Sequence, residues 1–203
     1  NTNSPEGYLA LGKFLSDRGR IAEAVLPLST ALSLDAGLLD VLQLLGRIHF
    51  KLGEWDKALD IYTRLTSRLP YSHLARYALA LTTAELAATD STKAEDAVRL
   101  FEEALVLRNN DEIIRYAFED FAVRALPIRH PARAKLSRHH LDHAGLYVRT
   151  NQVKQALVAI RRAIRLNPVD PAARRVLAGL YRDLGLWEAF HKELQVLAML
   201  EPG

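Results

Sequence analysis

The residues in this chain with the most chemistry in them are His139, His140 and His143. On a helix His139 and His143 would share a face, since positions four apart are neighbours there, and two imidazoles so placed could chelate zinc or nickel. A closed structural site takes about four ligands, however, and the nearby sequence adds only His130 or Asp142. The competing expectation is that His140 and His143 fill large packing positions, so no metal is expected. Paired carboxylates occur at Glu95-Asp96 and Glu102-Glu103, and both pairs are expected on an exposed, solvated helix face. The sequence has no Gly-rich phosphate loop, no Gly-x-Ser-x-Gly and no His-Glu-x2-His. It has no Cys, which excludes disulfides, thiolate metal sites and a thiol nucleophile. The expectation is therefore a chain that is not an enzyme and needs no cofactor.

The elements that would position these side chains are helical. With 49% apolar and 25% charged residues the composition is that of a globular protein, and no apolar run approaches the roughly 18 residues of a membrane span. The stretch from Leu42 to Pro70 sets the pattern: Leu42-x2-Leu45-Gly46-x2-His49, then Gly53-x-Trp55, then Ala58-x3-Tyr62, closing at Pro70. It reads as two amphipathic helices about a turn at Lys51–Glu54, with Gly46 and Ala58 where antiparallel helices must approach closely. This arrangement resembles a tetratricopeptide repeat.

The resemblance extends over nearly the whole chain. Ser4-Pro5 is a helix start, Leu11-Gly12 repeats Leu45-Gly46, and Ala24 precedes Ala58 by 34 residues, the length of this repeat type. A third unit carries Ala97-x3-Phe101-x2-Ala104, and five extra residues lie in its turn around Thr89–Lys93. There Thr92 and Glu95 form the pattern of a capping box. The segment from Asp111 to Leu126 reads as one helix, closed off by Pro127 and Pro131. Pro131–Thr150 then reads as a long first helix and Val153–Leu166 as its second, with Ala156-x3-Ile160-x2-Ala163. The last unit starts at Asp170-Pro171 and contains Leu177-Ala178-x2-Tyr181 and Gly185-x-Trp187, with Phe190 where the pattern has Ala. The expected organisation is three repeats over 5–110, an unpaired helix and Pro-bounded joint over 111–136, and two repeats over 137–203.

What the resemblance implies is an all-α fold, an α-solenoid of helix-turn-helix repeats wound as a right-handed superhelix, with about five repeats and about eleven helices. It further implies a scaffold or adaptor that binds a peptide or protein segment in a concave groove lined by the first helix of each pair. On that phase the groove would present Arg47, Lys51, Tyr77, Leu81 and Tyr116, then Arg124, Arg138, Arg149, Arg175 and Arg182. Family members that grip acidic chaperone C-termini use a carboxylate clamp; here its positions hold Leu9, Lys13, Leu44, Leu74 and Ala78, so that clamp is absent.

Charge is unevenly placed. Residues 1–120 carry 13 Lys/Arg and 18 Asp/Glu, whereas residues 121–203 carry 14 and 6. Arg161, Arg162 and Arg165 would lie on a solvated second helix, leaving the other arginines to make the C-terminal part of the groove basic and suited to an acidic partner. Two other expectations stay open: that the basic half faces a polyanion such as nucleic acid or anionic lipid, or that this is the regulatory region of a larger enzyme. The compartment is open too. In the final stretch Trp187, Phe190, Leu194 and Leu197 form an inward stripe, and Val196, Ala198, Met199 and Leu200 add apolar surface around it. A helix apolar all round is a buried one, so a homodimer contact or a further domain is expected over Val196, Met199 and Leu200.

Overall fold

The computed structural model describes residues 4–109 and 111–201. Among them are eleven α-helices and no strand: α1 (Pro5–Asp17), α2 (Ile21–Leu34), α3 (Leu39–Lys51), α4 (Trp55–Arg68), α5 (His73–Leu86), α6 (Ala94–Leu107), α7 (Glu112–Ala125), α8 (Pro131–Arg149), α9 (Val153–Leu166), α10 (Pro171–Asp183) and α11 (Trp187–Leu200). This is the all-α helical repeat that the spacing of small and apolar residues calls for. The chain divides into two compact units, Asn1–Phe118 and Glu119–Gly203, with the boundary inside α7. In the first unit α1 packs on α2, α3 on α4 and α5 on α6; in the second, α8 packs on α9 and α10 on α11.

Helix ends are fixed locally. The Gly7 amide donates to Ser4 Oγ at 3.1 Å and the Ala172 amide to Asp170 Oδ1 at 2.9 Å, so both Ser-Pro and Asp-Pro are true starts. The turn ahead of α6 is capped from two residues earlier than the Thr92–Glu95 pattern indicates. Asp90 takes that role, accepting from the Thr92 amide at 3.0 Å and the Thr92 hydroxyl at 2.6 Å, and a single 3-10 turn at Ser91–Lys93 then leads into α6. Four first helices end in a left-handed residue: Gly19, Gly53, Asn151 and Gly185 have φ of 75, 72, 56 and 71°. Gly19 and Gly53, and again Asn151 and Gly185, are one repeat length apart.

Small residues bring the paired helices together. Ala24, Ala58, Ala97 and Ala156 are fully buried. A Cβ on Gly12 would lie 2.5 Å from Cγ of Leu28, and one on Gly46 would lie 2.7 Å from Cε1 of Tyr62. In the last pair the alanine position is filled by Phe190, which is only half-buried, and no side chain of α11 is buried. The expected inward stripe is corrected here: Trp187 is 57% and Leu194 42% exposed. α11 is still joined to α10, where Arg174 meets Glu193 at 2.9 Å with both side chains mostly shielded from solvent.

The second unit is built around polar contacts that the repeat pattern did not announce. Arg133 is buried with no carboxylate partner among the described residues; its Nε donates to the Leu166 carbonyl at 2.7 Å, Nη1 to that of Leu126 at 3.2 Å and Nη2 to that of Arg165 at 3.1 Å. It thereby satisfies carbonyls left open at the C-terminus of α9. Ser137 Oγ adds a bond to the Ala163 carbonyl at 2.9 Å. Burial pushes the Arg133 guanidinium pKa down.

Candidate binding faces

In the first unit the residues expected to face a groove lie on α3, α5 and α7. Between α1 and α3 is a shallow pocket of about 310 Å³ lined by Lys13, Asp17, Asp40, Gln43, Leu44 and Arg47. Lys13 is neutralised there by Asp40 at 2.9 Å. Arg47 and Lys51 are exposed one turn apart on α3. Tyr77 and Leu81 on α5 are half-buried. The Tyr77 ring stands 6.4 Å from that of Phe101, which stacks on Phe118 at 5.1 Å, so Tyr77 rests on the core rather than projecting freely. Burial pushes its phenol pKa up, and Asp111 adds to the shift.

Tyr116 on α7 is exposed. With it the structure brings out Ile113 at 70% exposure, which sequence reasoning missed, and Leu74 at 62%, which it placed only as an occupant of a clamp position. They precede Tyr77 and Tyr116 by three positions and so continue the same helix faces. That spacing was the available signal. The result is an apolar surface on α5 and on the start of α7, with Leu74, Ile113 and Tyr116 in solvent and Tyr77 and Leu81 at its base.

In the second unit the five arginines are all exposed but differ in their partners. Arg124 pairs with Asp120 at 2.8 Å, Arg182 with Asp183 at 3.0 Å, and Arg175 with Glu201. Arg138 and Arg149 on α8 have no carboxylate partner among the described residues.

The reading of Arg162 as one of a solvated row is corrected. Its Nη2 meets Glu119 Oε2 at 2.7 Å, and the other oxygen of Glu119 lies 2.6 Å from His140 Nε2. Glu119 and His140 are buried and Arg162 is partly so, and together they tie the middle of α7 to α8 and α9. Burial alone would raise the Glu119 carboxyl pKa, but the bonds from His140 and Arg162 outweigh it and hold the carboxyl below its usual range.

His140 thus fills the packing position expected of it. His143 does not: it is exposed, with its ring 4.5 Å from that of the half-buried His139. Among the described residues no three or more His, Cys, Asp and Glu side chains are grouped so as to hold a metal ion. No helix among them is long and apolar enough to cross a membrane.

The tetratricopeptide repeat family is matched twice, over residues 39–82 and 141–196. No curated protein matches the chain. Among solved structures, a tetratricopeptide repeat protein from Parabacteroides merdae is similar over 97% of this chain and 78% of its own, with 15% identity and a TM-score of 0.57. YrrB, described as a tetratricopeptide repeat protein with an unusual peptide-binding site, is similar over 100% of this chain and 89% of its own, with 15% identity and a TM-score of 0.53. MamA from Desulfovibrio magneticus covers 98% and 95%, with 14% identity and a TM-score of 0.53. At these identities the likeness is one of fold.

Proposed function

The chain is a tetratricopeptide repeat protein, and from that premise we propose that it is a non-catalytic scaffold that holds a protein segment against the first-helix face of its N-terminal unit. The observation that carries this reading is the solvent exposure of Leu74, Ile113 and Tyr116 together on that face. Single exposed apolar residues need no explanation, but grouped ones mark interaction surfaces. Tyrosine at such a place gives contact area at low entropic cost. Stacked helical pairs also present the surface preformed, so little ordering is needed when a partner docks. The peptide-binding site of YrrB is consistent with this use of the fold.

Selection from a displayed library of random peptides tests the reading. Enriched sequences are expected to carry apolar anchors, and to lose about tenfold in affinity or more when Leu74, Ile113 and Tyr116 are replaced by alanine, as central contact residues do. These side chains support little of the core, so helicity should be retained. Equal binding by parent and variant, or no enrichment at all, would contradict the proposal.

We also infer that α11 is covered by a second copy of the chain. Trp187, Leu194 and Met199 stand exposed along it, and a two-fold contact closes without leaving new sticky edges. Light scattering should show an apparent mass that rises with concentration and falls back to the monomer in Met199→Glu. A parent that stays monomeric at high concentration would rule this out.

A further inference from the structure

Beyond Gly7 in the first turn of α1, four glycines sit inside first helices, and they form two pairs of different character. Gly12 and Gly46, one repeat length apart, are required: a side chain at either would run into Leu28 or Tyr62. Gly145 on α8 and Gly179 on α10 are also one repeat length apart, yet a Cβ added at either would have nothing within 4 Å. Glycine inside a helix weakens it, because it loses the most backbone freedom on folding. Helix packing does not call for glycine at 145 or 179; α8 and α10 touch, and the repeat spacing puts the two glycines at equivalent places on their helices, on corresponding faces. Arginines flank both. Arg138 and Arg149 lie two turns before and one turn after Gly145; Arg175 and Arg182 lie about one turn either side of Gly179. Arg138 and Arg149 have no carboxylate partner among the described residues, while Arg175 and Arg182 hold Glu201 and Asp183. Asp142 is the only carboxylate on α8.

We propose that this face of α8 and α10 binds an extended acidic protein segment whose backbone passes directly over Gly145 and Gly179. The charge around the glycines is complementary to carboxylates, which reach the two unpaired arginines directly and compete with Glu201 and Asp183 for the other two. Glycine is the residue that lets another backbone approach a helix closely. A polyanion held by the general field would have no use for the glycines and would also engage Lys154 and Arg161, exposed on α9. The proposal rests on the scaffold reading and adds to it a second site with a defined partner chemistry.

The test measures binding of a fluorescent Glu-rich peptide, with a Lys-rich peptide and a single-stranded oligonucleotide as comparators at fixed salt. Gly145→Ala with Gly179→Ala should raise the melting temperature, because the space is open and alanine favours the helix. Gly145→Leu with Gly179→Leu should leave the fold intact and weaken Glu-rich peptide binding by about tenfold or more, the loss of one good contact. Arg138→Glu with Arg149→Glu should weaken it at least as much, and Lys154→Glu with Arg161→Glu far less. A leucine variant that is folded and binds like the parent would overturn the proposal. So would an oligonucleotide that binds more tightly than the peptide and is indifferent to the glycines. If the acidic peptide fails to bind while the library still yields ligands for the N-terminal unit, this inference fails alone; if both fail, the scaffold reading fails with it.

Discussion

Glu119→Leu is expected to destabilise the C-terminal unit by about 3 kcal/mol, the lower end of what removing one partner from a buried ion pair costs. The change leaves Arg162 and His140 facing an apolar side chain with their hydrogen bonds unmade. Arg162 can recover some hydration, because its side chain is 20% exposed, and that places the cost at the lower end. Glu119→Gln isolates the charge from the shape, and its effect should depend on pH. The folded carboxyl pKa lies below its ordinary value, so the stability it contributes is fully present above the unfolded carboxylate range. That contribution is lost as pH falls through the folded pKa. Denaturant melts of parent and Glu119→Gln should therefore differ at neutral pH and converge in acid. Coincident melts at neutral pH would show that the network is not a stabilising one.

Gly46→Leu is the second large effect, expected to cost at least the roughly 1–3 kcal/mol typical of overpacking. The first added atom already falls 2.7 and 2.9 Å from Cε1 and Cζ of Tyr62 and 3.1 Å from Cγ2 of Ile61. Tyr62 and Ile61 are both buried, so the added side chain displaces packed neighbours. Burial has also pushed the Tyr62 phenol pKa up to about 12, as expected of a ring held within the helix pair. The same change at Gly145 should be nearly silent in stability. Thermal melts of the two variants side by side separate a packing glycine from an open one; equal losses would mean that the helix-pair geometry is wrong.

The repeat was legible because it is written in small residues. Gly12, Gly46, Ala24 and Ala58 recur at a fixed interval, and close helix approach leaves few alternatives at those places. The departures were harder to read because each depends on a partner distant in sequence. Glu119 looks like any helix-surface carboxylate until His140 and Arg162 arrive from two other helices. Arg133 carries no sequence sign that it will cap the end of α9. Phe190 was visible as a mismatch, but that α11 has no buried side chain needed the packing to be seen. On the binding faces the phase of the first helices marked Tyr77 and Tyr116, whereas Ile113 was passed over and Leu74 was read only as the loss of a clamp residue, although both continue the same faces. The arginines were found by charge and helix phase, and neither could separate Arg138 and Arg149, without a carboxylate partner among the described residues, from Arg124, Arg175 and Arg182, which are held by carboxylates nearby.

The central claim is that a protein segment docks on the first-helix face of the N-terminal unit. Its most direct test is to map backbone amide chemical shifts on adding a library-selected peptide. The shifts should concentrate on α5 and the first turns of α7, around Leu74, Tyr77, Leu81, Ile113 and Tyr116, and leave α2, α4 and α6 unchanged. Shifts confined to the second helices, with α5 and α7 silent, would contradict it.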